Sequence, residues 1–353
     1  MQMNSYLLIY SFIGIVSFAS SLINKEVFNR LGMFVIYSVL FLFIGLKYNV
    51  GADYHNYELY YQATKHANIN QIFDFTEPVY SLIMFLLSKL GLSFLEFNLF
   101  LSFLFIHALR KFLEITEAKS IFLIFAFPYL IMVVYLGYFR QAFAISILIY
   151  AIYLYYKEEK IASNLALFTA PLVHYSAFFF AFLIFTSKFK LNFLKAISLI
   201  FGVLVIATIY NDILLNYFDI YITKDNNISP GAFYRVPILS VSSIIFFYSR
   251  RAFLQNYPAI YRFLFFVSVL NILGLILLFL MPELSTMIDR LLLYSLPAFC
   301  LICSSFINFY KDNKFIYASL ALSAFIFNYL YVYLWTSTSF HAPYWVPYQV
   351  HLN

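Results

Sequence analysis

The chain has 353 residues, of which 63% are hydrophobic, 22% aromatic and 11% charged. That charge content is about half of an ordinary soluble domain's, and apolar runs recur along most of the length; a soluble globular fold is excluded and a polytopic membrane protein is left. The net charge of +6 comes mostly from Lys and Arg in short loops. These set membrane orientation and do not point to nucleic acid.

Read in chain order, the apolar runs predict spans at 4–23, 31–46, 94–109, 121–137, 141–156, 192–210, 236–249, 263–281, 291–309 and 315–335. The expectation is an all-α, polytopic integral membrane protein of about ten transmembrane helices, each needing roughly 20 apolar residues or somewhat fewer with interfacial anchors. The run Asn4 to Ile23 lacks a basic region before it and a small-residue cleavage site after it, so it reads as a retained span. Two segments are awkward. Residues 78–93 are short and contain Lys89, and 161–187 are too long for one crossing and too short for two, with Pro171 and His174 inside. Both read as broken or re-entrant helices, a backbone tolerated at membrane depth only where protein or a watery cavity surrounds it. No polar stretch is long enough for a separate soluble domain, so 1–353 reads as a single transmembrane domain. Cys300 and Cys303 lie inside an apolar run without partner ligands and read as small packing residues.

The loops "NKEVFNR", "RKFLEITEAK", "YKEEK", "SKFK", "SRR" and "KDNK" carry most of the 22 Lys and Arg and read as cytoplasmic. The outer side then holds 47–77, 211–235, 282–290 and 336–353, with both termini outside. Its few basic residues sit beside helix ends and aromatics, together with a set of carboxylates. The cytoplasmic side reads as plain anchoring and the outer side as a site, with a cavity opening on that face.

Six stretches carry the chemistry. In "YFRQAFA" (138–144), Arg140 lies between two apolar runs with no room for a solvent loop. It needs water, a carboxylate or a bound anion. A guanidinium at a helix N-terminus makes a good diphosphate site; the alternative is a structural Arg paired with a membrane-embedded acid. In "TAPLVHYSAFF" (169–179), His174 beside the Pro171 break suits a general base, or else is a core His satisfied by a helix carbonyl. In "MIDRLLLY" (287–294), Arg290 follows Asp289, and neighbours at i,i+1 diverge on a helix, which leaves Arg290 for the cavity or for interface anchoring. Arg235 in "GAFYRVP" holds a similar place at its own helix start. Finally "KYNVGADYHNY" (47–57) sets Gly51, which permits a tight turn, next to Asp53, Tyr54 and Tyr57, and "FTEPVY" brings Glu77 to the next apolar segment. An interfacial belt with a snorkelling Lys47 explains the tyrosines but not Asp53 and Glu77 at helix mouths.

The order "KYNVGADYHNY", "EPVY", "YFRQAFA", "APLVHYSAFF" and the late "DRLLLY" resembles the EpsG-type, Wzy-like polysaccharide polymerases of bacteria. The match is best over 47–177, with Lys47 where an Arg is common. The resemblance implies joining of oligosaccharide repeat units carried on undecaprenyl diphosphate, at the outer side of the bacterial plasma membrane, into O-antigen, capsule or exopolysaccharide. It implies no cofactor, no nucleotide sugar and no metal, because the diphosphate lipid is the leaving group. It also implies lipid-linked donor and acceptor as substrates, with accessory proteins that set chain length and a flippase that delivers substrate. On that chemistry Arg140, Arg290 and then Arg235 would bind diphosphate. His174 would be the base, with Asp53 second and Glu77 third, and Tyr54, Tyr57, Tyr138 and Gln141 would hold sugar. These side chains are expected to converge on one lipid-accessible pocket. The rival classes are a lipid-linked oligosaccharide flippase, a membrane acyltransferase acting on polysaccharide, and a structural scaffold.

Overall fold

The computed structural model describes residues 4–23, 26–189, 228, 229, 231–339 and 341–351. The expected span 192–210 and most of the expected outer loop 211–235 lie outside the described residues. What is described is almost entirely helical, joined by one two-stranded sheet. Among the described residues, five helices are long and apolar enough to cross a membrane: Val27–Gly45, Phe139–Tyr156, Tyr261–Leu280, Pro282–Asn308 and Lys314–Ser337. A sixth span results if Ala232–Tyr248 and Arg250–Asn256, bent by 79°, are counted together. The protein is therefore a multi-pass membrane protein.

The chain divides into two compact units. The first takes Met1–Ala181 and Cys300–Asn353, the second Phe182–Phe299. The helices of the first unit include α1 (Ser5–Ile23), α2 (Glu26–Gly45), α3 (Tyr54–His66), α4 (Pro78–Lys89), α5 (Phe94–Phe112), α6 (Lys119–Ala126), α7 (Phe139–Tyr156) and α8 (Lys160–Val173), and, from the C-terminal part, Lys314–Ser337. α5 packs on α2 and α7, and α7 packs closely on α8. Small residues permit that last approach: Ser163 is fully buried and its hydroxyl donates to the carbonyl of Ala151 at 2.8 Å.

Both awkward segments are irregular. Residues 78–93 supply only the 12-residue α4, begun by Pro78 at its first position and closed at Gly91, whose φ is +81°. The 161–187 run is split into α8 and α9 (Ala177–Ser187). Pro171 removes an amide donor from the last turn of α8, and His174 follows in extended conformation (φ −155°, ψ 116°). The break thus falls at the histidine.

A second break precedes α7. α6 continues into a nine-residue π-helix, Phe127–Tyr135, wholly buried, with Pro128 at its start. Proline again withdraws a donor, and the widened turns leave carbonyls that other groups must satisfy. At Tyr138 (φ −117°, ψ 74°) the helix stops, and α7 starts at Phe139, two residues earlier than the apolar pattern suggests.

Two of the segments expected on the outer side are more than loops. Residues 47–77 include α3, and 282–290 is mostly helical. The C-terminal residues form a strap. Strand β1 (Lys47–Tyr48) pairs antiparallel with β2 (Gln349–Val350), the Gly51 amide donates to the Tyr344 carbonyl at 2.8 Å, and Trp345 Nε1 donates to Met132 O of the π-helix at 3.1 Å. Gly51 has φ +96°, and a Cβ there would lie 2.7 Å from Gly137 Cα and 2.8 Å from Leu136 O. Its glycine character is therefore required twice, by conformation and by backbone approach.

Gly51→Ala is expected to destabilise the protein by roughly 3 kcal/mol, combining left-handed strain with overpacking. Gly91→Ala, strained but with no atom within 4 Å, should cost only about 1 kcal/mol. Thermal unfolding of both variants in detergent checks the order.

Candidate active site

The centre of the candidate site is Glu77. It is the residue before Pro78, so it takes the N-cap position of α4 in extended conformation (φ −60°, ψ 148°), and its side chain makes no cap hydrogen bond. The carboxylate is turned away from its own helix and buried, 2% exposed. A carboxylate so placed needs donors on both oxygens. Arg140 Nη1 donates to Oε2 at 2.7 Å, His174 Nδ1 lies 2.7 Å from Oε1, and the Tyr175 amide approaches Oε1 at 3.4 Å.

Each partner comes from an irregular point in the fold. Arg140 is the second residue of α7, just past the Tyr138 break, and His174 sits at the C-cap of α8. Arg140 is held on a second edge, because Nε donates to the Tyr57 hydroxyl at 2.8 Å. Nε and Nη1 are thereby committed, while Nη2 bonds to nothing among the described residues and the side chain is 31% exposed. His174 is 19% exposed. With Nδ1–H donating to Glu77, its Nε2 becomes the acceptor nitrogen.

Burial by itself would raise the Glu77 carboxyl. The His174 hydrogen bond and charge, with the Arg140 charge, outweigh it and hold the group at about 2. Burial also pushes the Tyr57 phenol up, against the pull of Arg140. The phenol therefore stays protonated and accepts from Arg140 as a neutral hydroxyl.

Of the expected site residues the structure brings Glu77, Arg140, His174 and Tyr57 together. Asp53 stands at the N-cap of α3, half-buried, and its charge is felt by the Tyr57 phenol. Tyr54 is buried, packed edge-on against Phe94 and tilted against Phe139. Its ring has a packing position where a sugar platform was expected. Tyr138 is half-buried at the break and Gln141 is buried one residue beyond Arg140.

Arg235 and Arg290 belong to the second unit, with helices α10 (Ala232–Tyr248), α11 (Arg250–Asn256), α12 (Tyr261–Leu280) and α13 (Ser285–Leu292). Arg235 forks onto Asp289: Nε donates to Oδ1 at 2.7 Å, and Nη2 donates to Oδ2 and to Ser229 Oγ, the latter at 3.2 Å. Asp289 is buried and Arg290 exposed, as expected for i,i+1 neighbours on a helix.

Sequence reasoning missed Lys47. It is not snorkelling but buried, 2% exposed, and donates to the Tyr135 and Leu136 carbonyls at 3.0 and 2.8 Å. Burial drives its pKa well below the usual lysine value. The available signal was its place between an apolar run and a glycine turn, which reads equally well as an interface.

A scan against protein families matches the EpsG family over residues 31–350. The chain belongs to the EpsG family. This is a Wzy-like polysaccharide polymerase family, and the match covers nearly the whole chain, well beyond the motifs at 47–177. No curated protein and no solved structure matches it. In this EpsG-family chain the Glu77 cluster links the three stretches "EPVY", "YFRQ" and "VHYS" that lie far apart in sequence.

Two outcomes are expected. Because the Glu77 carboxyl is held below its ordinary value, its stabilising contribution is complete above about pH 4.5 and is lost as pH falls toward 2. Wild type should exceed Glu77→Gln by roughly 3 kcal/mol at neutral pH and lose that advantage across this window, read by unfolding in detergent as a function of pH. Arg235→Met should cost roughly 3–5 kcal/mol by leaving Asp289 buried and unpaired, and Asp289→Leu in the same chain should recover most of it.

Proposed function

We propose that this EpsG-family protein joins oligosaccharide repeat units carried on undecaprenyl diphosphate into a surface polysaccharide (O-antigen, capsule or exopolysaccharide) at the outer face of the bacterial plasma membrane. The observation that carries this reading is the Glu77 carboxylate bound on one oxygen by Arg140 and on the other by His174. It couples a candidate base to a candidate anion ligand through one rigid group.

In the proposed reaction a hydroxyl at the end of one glycan attacks the anomeric carbon of another. The hydroxyl proton passes to His174 Nε2, the new C–O bond forms, and the bond to the diphosphate breaks with its electron pair left on the diphosphate oxygen. Glu77 fixes the imidazole tautomer and supports the imidazolium that forms. Arg140, oriented by Glu77 and Tyr57, offers Nη2 to the diphosphate, where negative charge grows in the transition state. The uncapped start of α7 adds partial positive charge beside it. Asp53 is the alternative base, and Tyr138 and Gln141 are candidates for sugar contact near Arg140. Arg235 is committed to Asp289, so the diphosphate role rests on Arg140. The reading includes about ten crossings, with short apolar helices such as Ser5–Ala19 and Lys119–Tyr135 counted beside the longer spans. It also takes α8 and α9 as a pair that enters and leaves on the cytoplasmic side, in keeping with the basic residues at both ends.

Arg140→Ala and His174→Ala should each lower polymer formation by roughly 10²-fold or more, while single repeat units still reach their acceptor at the cell surface. Gel profiles of surface glycan from a strain lacking its own polymerase check this. Loss of even the single units would indicate a flippase instead, and long chains at normal yield would end the assignment of these residues.

A further inference from the structure

Lys47 follows α2 directly and lies in β1, opposite Val350 of the C-terminal strap. Its side chain is buried, and no carboxylate among the described residues pairs with it. Its Nζ donates to Tyr135 O and Leu136 O and stands 3.7 Å over the Phe139 ring. Those contacts bracket the break before α7: two carbonyls before it and one ring after it. Arg140 is the next residue along. A buried ammonium without a counter-ion is a costly way to satisfy two carbonyls, and the same stretch is already held by neutral contacts. Trp345 Nε1 bonds Met132 O, the Tyr6 hydroxyl bonds Trp345 O at 2.5 Å, and Gly137 is wedged between Gly51 and Trp345.

We infer that Lys47 is a positioning residue for Arg140. It fixes the Leu136–Phe139 backbone so that the guanidinium reaches Glu77 and Tyr57 with Nη2 left over. It touches neither substrate nor the Glu77 cluster; it acts through the peptide that launches α7. A small cavity lies beside it, lined by Lys47, Asn98, Ser102, Tyr135, Phe139 and Ser146. Asn98 is 2% exposed, and neither its Oδ1 nor its Nδ2 has a partner among the described residues. There is thus room, and an unused acceptor, for a larger cation at position 47. A guanidinium could keep both carbonyl bonds and add one to Asn98 Oδ1.

This inference rests on the polymerase reading for its activity measurement, and a second measurement frees it from that reading. The full chain is reconstituted with lipid-linked oligosaccharide as wild type, Lys47→Met and Lys47→Arg. Lys47→Met is expected to insert and melt within a few degrees of wild type, with kcat at least ten-fold lower and KM little changed. Lys47→Arg is expected to keep at least half of the wild-type rate. Cryo-EM maps of the three proteins in nanodiscs, with a bound antibody fragment as fiducial, read geometry without turnover. Arg140 should leave Glu77 in Lys47→Met and stay on it in Lys47→Arg. Arg140 unmoved in Lys47→Met, a Lys47→Met rate equal to wild type, or unfolding of both variants would each overturn the inference. A wild type that makes no polymer while the maps behave as expected would remove the polymerase reading and leave the positioning role standing.

Discussion

A carboxylate that is only 2% exposed cannot remain ionised unless donors replace the water it has lost. Glu77 meets that demand with one guanidinium, one imidazole and a backbone amide taken from two separate parts of the chain. The constraint works in both directions. Glu77 gains its partners, and those partners lose the freedom to point elsewhere. Arg140 and His174, each at the end of a helix, become one unit with a fixed separation and a defined hydrogen-bonding state. Chemistry that needs a base and an anion ligand at a set distance can be built on that unit.

The helices end where they do because proline and glycine leave no better choice. Pro171 weakens the last turn of α8 beside His174, Pro78 begins α4 beside Glu77, and Pro128 opens the π-helix that stops short of Arg140. Away from water each interruption leaves backbone groups that must be satisfied inside the protein. Around the break before α7 the carbonyls of Met132, Tyr135 and Leu136 are taken by Trp345 and Lys47. The polar density of "KYNVGADYHNY" follows from this. Lys47 closes carbonyls, Gly51 lets two backbones touch, Asp53 starts α3, and Tyr57 steadies the guanidinium. Most of the stretch builds the site and only its far end enters it.

The second unit solves a similar problem by a different route. Asp289 and Arg235 are both largely withdrawn from solvent and pair through a two-pronged fork, the geometry that suits arginine and that lysine cannot reproduce. Such a pair fixes the register of the helices that carry it, since a buried fork tolerates little sliding. Membership of the EpsG family covers both units, because the match runs from 31 to 350.

Apolar run length, charge bias in the loops and the order of short motifs were enough to read a multi-pass helical protein of the EpsG family, and to mark Glu77, Arg140, His174 and Tyr57 as candidates. Those signals are local: a hydrophobic run, a proline beside a polar residue, a cation with no loop to float in. The sequence could also place Arg140 before either an anion or a buried acid, without choosing. Tertiary structure decided the rest, because the deciding quantities are distances between segments. It made Glu77 the common partner of Arg140 and His174, gave Tyr54 to packing, tied Arg235 to Asp289, and buried Lys47 where an interfacial lysine was expected. No local pattern encodes which carbonyl a lysine will find, since that carbonyl lies about ninety residues away and is left open only by the way a distant helix breaks.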